Sequence, residues 1–291
     1  MSRYIAPAEG ISQAWIAVLE AMNAEADGTA TNVMVTIPSP TVADLVEVRQ
    51  VLDEELRSRG QHEVATVANT LFPSTFYQPP AHDWQPGLPG AGIAELDDAA
   101  DQLYTEYLDI LPTLRRIPAN ARGTYFSRMI SWPGKTGTGT NQLKDRIEFL
   151  RKERTNGRAT SNASDLVIAG DGEDPADGAG AGIQEYAATD RRPQGFPCLV
   201  HIDVSVHNGA LSLTAVYRHW HLITRAYGNM AGLTRLQSFL CQQTGFKVGE
   251  LVVVAGYANA ERGEYGGRSG VRSLLDRAAA AIPSPAPIVA A

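Results

Sequence analysis

The chain has 291 residues, 44% of them hydrophobic and 20% charged, enough apolar content for the core of one large domain or two small ones. Asp and Glu outnumber Lys and Arg by 32 to 25, giving a net charge of −7 and excluding an extended nucleic-acid surface, which needs clustered cations to displace phosphate counterions. Two cysteines make no disulfide framework, no N-terminal run resembles a signal peptide, and no apolar segment approaches the roughly 20 residues of a membrane span; the expected compartment is a reducing cytosol.

In chain order, residues 10–23 place Ile11, Trp15, Val18, Leu19 and Met22 at helical spacing, and 33–37 read as a strand. Ser39-Pro40-Thr41 opens a second expected helix, with Leu45, Val48, Leu52 and Leu56 on its stripe. Residues 63–71 are β-like, and 73–92 carry Pro and Gly without a period, as a wrapping loop does. A helix is expected over 93–114, with Leu96, Leu103, Tyr107, Leu111 and Leu114 on one side, then a strand over 123–132. A turn-rich loop at 134–140 leads into a helix with Leu143, Ile147 and Leu150 on one face. A short strand ends at Val167-Ile168, 169–185 read as a flexible Gly/Asp-rich insertion, and 282–291 as a loose tail.

The segment 196–258 holds the clearest chemistry. Two short strands flank Asn208-Gly209, which suits a type I′ turn because both positions want positive φ. A long helix and a Val-rich strand follow. With His207 opposite Ala210, a regular ladder sets Ile202 opposite Ala215, Val200 opposite Tyr217 and Cys198 opposite His219, and points Arg218 to the other side. Cys198 alternates with Val200, Ile202, Val204 and Val206, as a small core residue would; an adjacent imidazole or guanidinium would instead favour a nucleophilic thiolate. Cys241, in Phe239-Leu240-Cys241, reads as core.

The ordered series of residues resembles the thymidylate synthase family. Pro197-Cys198-Leu199 echoes the family's Pro-Cys-His, Tyr217-Arg218-His219 its Gln-Arg-Ser, Tyr227-Gly228-Asn229 its Pro-Phe-Asn, and Gly256 to Glu261 its Gly-Asp-x-His-x-Tyr, all without gaps. Upstream, Tyr125 and Trp132 keep the ends of a Tyr-Gly-x-Gln-Trp-Arg-x-Trp segment, Thr140-Asn141-Gln142 echoes an Asp-Gln helix, and Gly157-Arg158 falls where a phosphate-binding Arg pair ends. The resemblance covers 120–262; before it, the family's Glu-Leu-Leu-Trp helix, whose Glu serves proton transfer, has no counterpart.

The resemblance implies an α/β (α+β) fold with a curved mixed sheet and helices on one side, a single domain over 1–281, and a homodimer. It also implies one-carbon transfer to C5 of a pyrimidine nucleotide, by methylation or hydroxymethylation, with methylenetetrahydrofolate as donor. Cys198 would add to C6, and Tyr125 would order the hydrogen-bond network around the base. Arg218, with Arg158 reaching across the dimer, would hold the 5′-phosphate. Asn229 would read a uracil edge.

The departures bear on the remaining contacts. His219 stands beside the expected phosphate, Asn259 and Glu261 replace the pair that grips the ribose, and His221 replaces a carboxylate on the folate side. A nucleotide-binding or assembly protein that kept the fold without folate chemistry is therefore the alternative, and use of Cys198 on another nucleotide without folate is a third. Gly134-Lys135-Thr136 lacks the first glycine of a phosphate loop, since that position is Met129; Asp171 to Asp177 lack the alternation of a calcium loop; His219 and His221 show no third zinc ligand.

Overall fold

The structure is a computed structural model that describes residues 2–42, 44–121, 123–132, 139–156, 183–184 and 198–283. The expected strand at 167–168, Arg158, the 134–138 part of the turn-rich loop and the tail from 284 lie outside the described residues.

Among them, seven strands form one mixed sheet in the order β1-β2-β7-β5-β4-β3, with β6 also on β7. They are β1 (Arg3–Ile5), β2 (Thr29–Ile37), β3 (Ile183–Gln184), β4 (Leu199–His207), β5 (Ala210–Tyr217), β6 (Trp220–His221) and β7 (Lys247–Asn259). β7 is central: antiparallel to β2 and parallel to β5. The helices are α1 (Gly10–Ala24), α2 (Val46–Ser58), α3 (Val64–Leu71), α4 (Gly90–Leu114), α5 (Tyr125–Ile130), α6 (Gln142–Thr155), α7 (Tyr227–Thr244) and α8 (Gly267–Ala280).

The strands' alternation decides the layers. Val33, Val35, Val253, Leu213, Ala215 and Ile202 share one parity and join the helices in a single core, while Met34, Val216 and Val254, of the other parity, lie outside that core and are partly exposed. Helices therefore cover one face, as expected. Trp15 of α1, fully buried, donates its indole N–H to the Leu222 carbonyl at 2.8 Å and so fixes the turn before α7; burial of such a side chain is worth about 2–3 kcal/mol.

Four expectations are corrected. Residues 63–71 form α3, because Val64, Val67, Ala68 and Leu71 also fit helical spacing and Asp53 caps the Val64 N–H at 2.8 Å. Residues 123–132 hold α5, whose Thr124 and Ser127 make a reciprocal capping box. The second helix starts at Val46 rather than at Ser39, since Ser12 Oγ accepts the Leu45 N–H at 3.1 Å and holds the preceding turn extended. Within the segment expected to be an insertion, Ile183 and Gln184 pair with Ile202 and His201 of β4. β1 and α8 were not foreseen.

The α3 to α7 packing is close because α7 presents Gly228 and Gly232. A Cβ on Gly228 would meet Val67 Cβ at 2.5 Å, and one on Gly232 would meet the Ala68 carbonyl oxygen at 2.7 Å. α7 ends at Gly245, φ +72°, whose N–H returns to the Cys241 carbonyl at 2.7 Å.

Candidate active site

The hairpin follows the expected register from its turn up to Ile202 opposite Ala215, then departs from it. His201 lies opposite Val216 and Leu199 opposite Tyr217, so Val200 is an extra residue in β4, a β-bulge. Arg218 accordingly donates its backbone N–H to the Cys198 carbonyl at 2.8 Å. Leu199 enters the core beside Ile202 and Val204, while Cys198, half-buried, packs against the edge of that core. A regular ladder would have put Arg218 opposite Leu199 rather than Cys198.

Cys198 opens on a cavity of about 620 Å³ between the sheet and the helices. The end of β5 and the turn beyond it contribute Tyr217, His219, Trp220, His221 and Arg225, and α7 contributes Asn229. Thr66, Asn69 and Thr70 come from α3, Tyr107, Ile110 and Leu114 from α4, and Thr124, Tyr125 and Arg128 from the start of α5. Five of the sequence-derived residues thus share one cavity: Cys198, Tyr125, His219, His221 and Asn229.

Each wall is held by identifiable contacts. Tyr125 sets its hydroxyl 3.5 Å from the Leu199 amide nitrogen, at the long limit of a hydrogen bond and next to Cys198. Trp220 Nε1, a donor only, lies 3.3 Å from Asn229 Oδ1, which turns the amide nitrogen the other way; that Nδ2 makes no hydrogen bond among the described residues. The rings of His219 and His221 stack at 4.2 Å between centroids, 19° from parallel, and Tyr257 meets His219 edge-on at 4.8 Å.

Burial pushes the Cys198 thiol above its ordinary value, with the Arg218 and Arg225 guanidiniums pulling the other way. Burial, the neighbouring His221 and Arg218 hold the His219 imidazole below its ordinary value, so it is neutral near pH 7. The expected lowering of the thiol by Arg218 is present but is outweighed by desolvation.

Three residues stand elsewhere. Arg218 is exposed and outside the cavity lining. Asn259, paired with His221 in the sheet, accepts the Glu261 N–H at 2.7 Å. Glu261 is buried at a left-handed φ of +53° and accepts from Ile223 N, Thr224 N and Thr224 Oγ1 at 2.7, 2.9 and 2.7 Å. Its carboxylate builds the five-residue π-helical turn Leu222–Ala226 and does not line the cavity.

Arg225 and Arg128 were missed. The only available signal was spacing: Arg225 falls one helical turn before Asn229, and Arg128 one turn after Thr124. No Asp or Glu is among the described cavity-lining residues, and no group of three metal-ligating side chains gathers among the described residues. No helix of the described residues is long and apolar enough to cross a membrane. No family model matches the chain, and no curated protein matches it.

Proposed function

We propose that the chain is a pyrimidine-nucleotide C5 one-carbon transferase acting on a uridylate-type nucleotide, with Cys198 as nucleophile. The observation that carries this reading is that Cys198, Tyr125 and Asn229 line one cavity. About 620 Å³ is ample for a nucleotide and part of a second ligand.

In this reading the Asn229 amide nitrogen donates to the base O4. The Cys198 sulfur adds to C6, so that the C5–C6 π pair moves towards C4–O4 and C5 becomes nucleophilic. Charge then develops on O4, where a donor already fixed by Trp220 stabilises it without reorganising. Tyr125 orders the entrance beside the sulfur. Once C5 had bonded to the one-carbon unit, loss of its proton to water and departure of the thiolate from C6 would restore the aromatic base.

Phe76, Tyr107, Ile110, Leu114 and Ile117 give the cavity an apolar flank, and His221 a polar one, which suits the flat ring system of methylenetetrahydrofolate. When bound, that group supplies the one-carbon unit at the formaldehyde oxidation level. The partly exposed second face of the sheet, with Met34, Val216 and Val254, is the surface offered for the proposed homodimer. Cys198 and Cys241 are both free thiols, in keeping with the reducing cytosol proposed as its compartment.

The second reading, a nucleotide-binding protein without folate chemistry, is favoured by one observation: no carboxylate among the described lining residues is available for proton transfer. Incubation with [5-³H]dUMP, UMP, dCMP and CMP, with and without methylenetetrahydrofolate, separates the two. Tritium release that vanishes in Cys198→Ser supports the transferase. Nucleotide binding with no release under any condition supports the second reading and sinks the first.

A further inference from the structure

Most arginines here have partners: Arg151 is tied to Asp97 and Gln243, Arg262 to Asn23 and Glu25, Arg277 to Glu55. Arg225 differs. It is half-buried, lines the cavity, and makes no hydrogen bond or ion pair among the described residues. A partly desolvated guanidinium without an acceptor is costly. His219, elsewhere in the lining, also has a buried Nε2 with no partner among the described residues.

This exposed positive character is constructed. Glu261 takes three donors from Ile223 and Thr224, the two residues before Arg225, and holds this geometry from a left-handed backbone that a non-glycine residue rarely adopts. The same carboxylate lies 3.6 Å from His221 Nδ1. The negative charge is thus spent behind the wall, while Arg225 faces a cavity whose described lining has no carboxylate to pair with it.

We infer that Arg225 forms the oxyanion subsite of this cavity, taking the phosphate of a nucleoside monophosphate, and that Glu261 is the positioning residue that sets the Arg225 turn. The inference rests on the nucleotide reading above. It assigns the phosphate to Arg225 rather than to Arg218, which is exposed and outside the cavity lining, and gives Glu261 a role behind the wall rather than on the sugar.

Calorimetric titration of the full chain with dUMP, deoxyuridine and inorganic phosphate tests it. The expected result is dUMP bound at least tenfold more tightly than deoxyuridine, with inorganic phosphate competing against dUMP. Arg225→Gln should bring that ratio towards one while leaving deoxyuridine affinity unchanged, and Glu261→Gln should lower it several-fold in a protein whose thermal transition shows it folded. A merely structural role for Glu261 would weaken both ligands alike and leave the ratio where it was. A wild-type protein indifferent to the phosphate, or a ratio untouched by Arg225→Gln, overturns the assignment. Should that variant not fold, Arg225→Lys, which keeps charge but loses the fork, reads the same ratio and should lower it. If the ratio behaves as expected and no C5 tritium is released, the subsite stands and the transferase reading falls; release with a ratio insensitive to Arg225 gives the converse.

Discussion

The peptide N–H of Arg218 donates to the Cys198 carbonyl at 2.8 Å, beside the bulge at Val200, so the two residues sit side by side with Cys198 in the cavity and Arg218 exposed outside its lining. Burial and charge then compete at the sulfur, and burial wins. At pH 7 Cys198 should therefore be alkylated more slowly than a free thiol, with a rate that climbs as pH passes above the usual thiol range. Arg218→Gln and Arg225→Gln each remove an opposing positive charge and should move the curve to still higher pH. Iodoacetamide kinetics followed by peptide mass mapping measure this; curves that shift to lower pH in either variant contradict the electrostatic account.

Much of the hairpin was legible in the residues, and for a physical reason: Asn208-Gly209 fixes a turn type, and a turn type fixes register. The conflict at its far end was legible too: a regular ladder separates Arg218 from Cys198, and the bulge that sets them side by side still leaves Arg218 exposed outside the cavity lining. Short helices were harder. α3 and the six residues of α5 carry β-branched or aromatic side chains, and what makes them helical is a cap from Asp53, distant in sequence, and a Thr124–Ser127 box within a run that reads as strand. Glu261 illustrates the remaining limit. Alignment by spacing put it at the sugar, but its conformation is set by amides of residues 223 and 224, a tertiary relation no local pattern contains.

Gly228 sits where α7 touches α3, one residue before Asn229. Gly228→Ala places a methyl 2.5 Å from Val67 Cβ and 2.9 Å from the Val64 carbonyl oxygen, both on a packed helix that cannot simply rotate away. Overpacking of this kind costs about 1–3 kcal/mol. Urea denaturation should show that loss. A neutral single variant would mean that α3 yields freely.

Cys241 gives a stability test independent of function. Burial, aided by Asp83, pushes its thiol up from 9.0 to about 12. The folded state therefore keeps a proton that the unfolded state loses first. The contribution is fully present below about pH 9, the unfolded value, and is lost as pH rises towards 12. Chemical denaturation at pH 8, 9 and 10 should show wild-type stability falling relative to Cys241→Ala over that interval. A constant difference between the two proteins would rule out Cys241 as the titrating group.

Trp220 bears on which base the site accepts. Its indole stacks on Tyr217 with ring centroids 6.0 Å apart, while its N–H occupies Asn229 Oδ1. That hydrogen bond is what limits Asn229 to presenting donors, because a carboxamide free to turn over offers an acceptor as readily. Trp220→Phe retains an aromatic ring against Tyr217 and removes the donor together with part of the buried indole, the acceptor left without a partner costing about 1–2 kcal/mol. A donor-only Asn229 matches the O4 of uracil and opposes the 4-amino group of cytosine; a freely turning one matches both. The ratio of dUMP to dCMP affinity should therefore fall by up to about tenfold in Trp220→Phe, through tighter dCMP binding as well as weaker dUMP binding. If both nucleotides weaken equally, the indole serves packing alone, and discrimination between the bases resides in other groups of the cavity.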